Sequence, residues 1–355
     1  MTSFSRNRRF PAILLGVLLL AGCAAKSVVA PSPPRGFRLL EEDALWQFLD
    51  KHRVRYVGGI NRELADAIGK ETGADAVLFT SLEMFDEGPP PKAALTARLV
   101  SANGRAEILW ADSAGMSGDD HPGLLLLGLI EDPAVLWRNA RDRVLDSLAG
   151  YLAGEAPRDS GESAGKFAPK RFHSVPPKLA QGRQTVSIAV LPFRNESIQR
   201  NAGEILALHF FRELAKTGVM EIVEAGEVRQ ALLRTRTIME GGLSLPQADI
   251  LRESLGVDLV LTGVVAEYQD SLGGSGVPKV EFTVRVFDMQ TRQIVWSSFS
   301  YNRGDDGVYF FDAGRVSTAH GMASGMVRSI VRRMLAAVEA GKEGAAAPAK
   351  GGPRR

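Results

Sequence analysis

Cys23 is the only cysteine in the 355 residues. No intrachain disulfide can form, and no cysteine-built zinc site is available. Long apolar runs are equally scarce. The one at residues 11–20 is half the roughly 20 residues that a membrane-spanning helix needs. Neither sign of charge dominates, with 43 Lys and Arg against 41 Asp and Glu. Histidine is sparse too: His52, His121, His173, His209 and His320 show no His-x-x-x-His spacing, and none recurs in a second part of the chain. That excludes a helix-borne metal motif. The remaining composition, 45% hydrophobic and 24% charged, excludes collagenous, coiled-coil and wholly disordered chains. The length suits about two domains.

The short apolar run follows Arg6, Arg8 and Arg9 and ends in Leu20, Ala21, Gly22 and Cys23. A positive segment, a short apolar core and small residues at the boundary form a secretory signal peptide. The last four residues resemble the lipobox of bacterial lipoproteins. The resemblance implies cleavage before Cys23 and acylation of that cysteine, and several acyl chains hold a protein durably on a bilayer. An ordinary secretory signal with a chance cysteine is the alternative. Loss of the three arginines reduces the 43 basic residues to 40 against 41 acidic, so the mature chain is near neutral and gives no reason to expect nucleic-acid binding. Within the lipoprotein resemblance, Ala24 in place of aspartate implies the outer membrane, facing the periplasm.

Two blocks of the chain are similar to each other. At a shift of 183 residues, Gly58 and Gly59 fall on Gly241 and Gly242, Ala65 and Asp66 on Ala248 and Asp249, and Gly73 and Asp75 on Gly256 and Asp258. At a shift of 186, Trp110 falls on Trp296, and Asp119 and Asp120 on Asp305 and Asp306. The organisation read from this is a signal peptide at 1–22, a proline-rich tether at 23–36, a partial repeat at 37–154, a linker at 155–184, a complete unit at 185–340 and a disordered tail at 341–355.

The second block carries the clearer periodicity. The spacing of Leu206, Phe210 and Leu214 predicts a helix over 202–217, closed by Gly218. Val280, Phe282, Val284 and Val286 alternate with Glu281, Thr283 and Arg285, the period of a strand. Counting elements predicts β-α-β-α-α-β-β-β-α. The fold class is α/β: two copies of a mixed-sheet module with helices packed on the sheet, the first truncated at its N-terminus. The truncation leaves a sheet position that is either an open edge or a slot filled by another segment or chain, and so a candidate interaction surface.

The run from Ile188 to Phe193 with Asn195 and Ser197, the strand from Gly256 to Gly263 and the Ile294, Val295, Trp296 hairpin strand resemble CsgG- and LpoB-like envelope lipoproteins, which share a TolB N-terminal-domain-like α/β module. The resemblance covers about 185–340 well and 37–154 more loosely. It implies a non-catalytic lipoprotein that binds other envelope proteins. This chain departs from the family in having two copies and in lacking a pair of long alternating hairpins that would build a transmembrane barrel.

Searching for chemistry gives little. The glycines and lysine at 161–166 resemble a phosphate loop but are one residue short and lack Ser or Thr after Lys166. Ser163 and Lys166 have hydrolase spacing but fall in the linker rather than on a buried helix. Asp119, Asp120, Asp305 and Asp306 suit turns and caps, and Trp110 and Trp296 suit packing. No catalytic residue, cofactor or metal is expected. The apolar loop residues Leu124, Leu125, Leu126, Leu127, Tyr309, Phe310 and Phe311 either fold back as buried elements or form a patch that meets a partner or the membrane.

The expected function is an outer-membrane-anchored assembly factor, scaffold or regulator of a cell-envelope machine, for example a penicillin-binding-protein activator. The alternative is a subunit of a curli-type secretion pore. Expected partners are the membrane through Cys23, an envelope protein such as a peptidoglycan synthase or secretion component, and other copies of the chain, with no nucleic acid.

Overall fold

The computed structural model describes residues 12–19, 37–55, 58–120, 128–155, 166–175, 185–236, 245–270, 276–308 and 314–346. The first part contains β1 (Ala12–Leu19), β2 (Phe37–Leu39), α1 (Glu42–Lys51), α2 (Arg62–Thr72), β3 (Ala76–Asp86), β4 (Lys92–Ser101), β5 (Ile108–Ser117) and α3 (Pro133–Leu152). The second contains β6 (Arg171–Ser174), β7 (Val186–Val190), β8 (Arg194–Asn195), α4 (Ala202–Thr217), β9 (Met220–Ile222), α5 (Ala225–Arg234), α6 (Leu245–Leu255), β10 (Leu259–Gln269), β11 (Lys279–Asp288), β12 (Gln293–Arg303) and α7 (Ala319–Ala346).

Local chemistry sets the boundaries. Asn61 caps α2 by accepting from Leu64 N at 2.9 Å, and Gly73 ends it at φ 69°. Asp132 caps α3, where Pro133 occupies the first turn and loses no helical hydrogen bond. Gly218 closes α4 at φ 62°.

The two sheets are open and mixed, with strand orders β2-β1-β3-β4-β5 and β6-β12-β11-β10-β7-β9. Apart from β6, the order is the same. In each, a central strand runs parallel to both neighbours, and a three-stranded antiparallel meander follows. Even the bulges recur, after Leu82 and Leu99 in one sheet and after Val265 and Val286 in the other. The α/β class is as the sequence predicts, and so is the element order of the second part apart from the added β6 and β8.

Each sheet buries both faces. Leu95, Ala97 and Leu99 meet Leu136, Val144 and Leu148 of α3, while Val77, Phe79 and Val100 meet Phe48, Leu49 and Ile68 from α1 and α2. In the second sheet, Phe282 and Val284 pack with Phe210 and Met326 from α4 and α7, and Val260 and Phe287 face Val228 and Leu251 from α5 and α6.

Three departures from the sequence reading stand out. Residues 12–19, read as part of a signal peptide, form a strand. The stretch read as linker contains β6, which pairs with the edge of β12. Phe172 on it stacks on Trp296 at 5.3 Å, and Phe167 is buried in the core. The last helix continues to Ala346, past the expected boundary at 341, through alanines, glutamate and lysine of good helix propensity.

Candidate functional site

Cys23, Leu124, Leu125, Leu126, Leu127, Tyr309, Phe310 and Phe311 lie outside the described residues. The aspartate pairs do turn work in both parts. Asp120 accepts from Ser117 N at 2.7 Å and Asp306 from Arg303 N at 2.9 Å. Trp110 and Trp296 are buried. Two other places carry the interest.

The first is the slot occupied by β1. Leu14 to Leu19 pair in parallel with Ala76 to Ser81 of β3, and Ala12 to Leu14 pair with Phe37 to Leu39 of β2. The position between β2 and β3 is therefore taken by the short apolar run itself. A run of eight apolar residues suits a signal-peptide core and a buried parallel strand equally well.

The second place is the seam between the two parts. The sequence pattern showed α4 as one stripe, Leu206, Phe210 and Leu214, facing its own sheet. A second stripe of Ile205, His209, Arg212 and Lys216 turns toward the first part. From α7 come His320, Ser324 and Arg328 at helical spacing. On the other side β5 offers the small residues Ala111, Ser113 and Gly115, where β12, at a shift of 186, has Ser297, Phe299 and Tyr301. A Cβ on Gly115 would clash with the His320 side chain at its Cδ2, so glycine is what lets α7 come this close.

The seam is polar and buried. Arg98, 6% exposed in its side chain, pairs with Glu224, 1% exposed, at 2.8 Å. Glu224 Oε2 also accepts from Ile60 N at 3.1 Å and from Gly226 N, and Arg98 donates to Gly58 O. Gly59 and Gly226 meet backbone to backbone, where neither leaves room for a Cβ. Arg212 donates to Glu213, Ser324 and, across the seam, Ser113.

Glu83, His209 and His320 come together here from three elements. Glu83 is the residue bulged out of the β3–β4 ladder, and a bulge re-aims a side chain. His320 Nδ1 lies 2.5 Å from Glu83 Oε2, and its Nε2 3.0 Å from Ser113 Oγ. The His209 ring sits 4.5 Å from that of His320, with both nitrogens lacking a partner. Burial, then the neighbouring His320 and Arg212, hold His209 well below the ordinary histidine range. Beside this group is a cavity of about 240 Å³, lined by Glu83, Asp86, Tyr268, Asp270 and His320, with the exposed Ile198 among its walls. Burial raises the Tyr268 hydroxyl, helped by Glu83 and Asp270, and burial also raises Asp270.

Lys216 reaches Asp112 on β5 at 2.8 Å, and Ser147 donates to the same carboxylate at 2.6 Å. Burial pushes Asp112 up, but Lys216 and these hydrogen bonds outweigh it and hold it below the ordinary aspartate value. A carboxylate depressed in the folded state stabilises fully above its unfolded value and loses that contribution as pH falls through the folded one. Asp112→Asn should therefore lower the urea midpoint at pH 7, and the gap from the parent protein should close as pH falls below about 4.

Sequence reasoning missed Glu83, Arg98, Glu224 and the histidine pair as a group, since hundreds of positions separate some of them. One trace was available: Glu83, Ser113 and Gly115 stand where β10 and β12, at the shifts of 183 and 186, have Ala266, Phe299 and Tyr301. These are departures at otherwise matching strands.

Fold and seam define an α/β module with open mixed sheets. No family model matches the chain, and no curated protein sequence does. Among solved structures it is similar to the PelC dodecamer protein of Paraburkholderia phytofirmans, at 19% identity over 46% of this chain and 96% of that one, with a TM-score of 0.33. It is similar to lipoprotein GNA1162 of Neisseria meningitidis at 21% identity, over 42% of this chain and 96% of that one, with a TM-score of 0.28. The LpoB C-terminal domain of Salmonella enterica matches at 20% identity over 35% of this chain and 87% of that one, with a TM-score of 0.26. Among the described residues no helix is long and apolar enough to cross a membrane.

Proposed function

We propose that the chain is a lipid-anchored envelope protein, attached through Cys23 at the outer membrane, that acts without catalysis as an assembly factor or regulator and binds its partner by strand addition. The observation that carries this reading is the slot between β2 and β3. Its occupant, Ala12–Leu19, lies within the residues a lipoprotein signal peptidase would remove. Maturation then leaves six residues of β3, Ala76 to Ser81, without their parallel neighbour.

The tether is short for restoring the strand in its parallel sense. A parallel connection needs a dozen or more residues, and only 24–36 remain between Cys23 and β2 for both a new strand and its crossover. The slot therefore suits an extended apolar segment of another envelope protein, held by main-chain hydrogen bonds. Lipid anchoring confines the search to the membrane surface. A peptidoglycan synthase is the partner class that the family resemblance favours. The same resemblance is what supports reading the two blocks as copies of one module, along with their shared strand order and recurrent bulges.

A photoreactive residue at Ser81 in intact cells tests this. The expected crosslink maps to a strand-forming segment of an envelope protein and weakens in Cys23→Ala. Crosslinks confined to this chain's own residues 12–19 would show that the slot is never vacated, and the reading would fail.

A further inference from the structure

We propose that the seam holds a divalent cation of the zinc class, ligated by Glu83, His209 and His320. One ligand atom from each of the three lies within 4.8 Å of the others. Zinc with bonds of about 2.0–2.1 Å brings its tetrahedral ligands to about 3.3 Å apart, so modest side-chain rotation closes the set.

Three observations point the same way. His209 is buried with neither ring nitrogen bonded, and an unpaired buried polar group costs free energy that a metal bond would recover. Its ring lies 4.5 Å from that of His320, which brings the two imidazoles to one place. Glu83 is turned out of its ladder toward His320 by a bulge and is held by Thr96, which donates to it. Two imidazoles and one carboxylate suit zinc, copper or nickel better than calcium or magnesium, which take oxygen ligands. The adjoining cavity leaves the fourth position to water.

The ligands come from both parts of the chain, Glu83 from β3 and the histidines from α4 and α7. A bound cation would therefore tie the two parts together where the packing is most polar. Glu83 follows Ser81 on β3 by two residues, so the site adjoins the end of the β1 slot, while both histidines come from the second part of the chain.

The test uses the full chain with Cys23→Ala, so that no thiol competes, and with His52, His121 and His173 all changed to Asn. Only His209 and His320 then remain. Cobalt titration should give a visible absorption band that saturates at one equivalent and is displaced by zinc, and zinc should raise the melting temperature. His209→Leu leaves no hydrogen bond unmade and should fold. Like Glu83→Gln, it should weaken cobalt binding by more than about a hundredfold. Absence of the band and of any zinc-dependent melting shift in the folded parent overturns the proposal. So does an unchanged band in both variants, which would mean a surface site. If His209→Leu does not fold, Glu83→Gln alone decides the matter.

Discussion

Alanine at Arg98 is expected to lower the unfolding free energy by about 3–5 kcal/mol, measured as a shift of the urea midpoint. The guanidinium pairs with Glu224, whose side chain is 1% exposed. Removing it leaves a carboxylate in a region that water does not reach, and it also strips Gly58 O of its donor. The cost falls toward the lower end of that range, because Ile60 N and Gly226 N still donate to Glu224. Most of the loss reflects the stranded charge rather than the worth of the pair. The double variant Arg98→Met, Glu224→Gln should therefore recover most of it, since the amide still accepts from both N–H groups and methionine fills the space over Phe79. If Arg98→Ala costs under about 1 kcal/mol, in the range of exposed ion pairs, the two parts are not held together at this point.

Phe210→Ala should cost a similar amount, about 3–5 kcal/mol, for a different reason. Its ring is fully buried, stacks on Phe193 at 5.5 Å and meets Phe282 edge-on at 6.5 Å. Truncation opens a cavity at the crossing of α4, β7 and β11, whose strands cannot collapse into it. No double variant with a polar partner will rescue it, because the loss is of packing and apolar burial. The two results together separate the seam, read at Arg98 on β4, from the core, read at Phe210 on α4. Residues 209 and 212 of α4 face the first part, and residue 210 faces the second sheet.

How much of this was legible beforehand depended on period and length. The helix over 202–217 and the alternating strand at 280–286 were readable because an apolar stripe meets its own sheet, and the sequence must then repeat with the geometry. The strand β6 was not readable. It is four residues with one large apolar side chain, and it is defined by the β12 edge it joins rather than by its own pattern. Residues 12–19 carry a pattern that serves two purposes, so the same text reads as a signal-peptide core and forms a strand. The seam was least legible. A polar, two-sided burial of α4 shows as an ordinary amphipathic helix until the second surface is known, and Glu83, His209 and His320 share no spacing.

The proposed strand addition is tested most directly by amide hydrogen exchange over residues 76–81 of β3, comparing the unprocessed chain with residues 23–355. The account predicts protection of these amides in the unprocessed chain and exchange at least about tenfold faster in the mature one, with the β4 and β5 ladders unchanged in both. Equal protection in the two would mean that the mature protein closes the slot by itself, and that this edge is not where a partner binds.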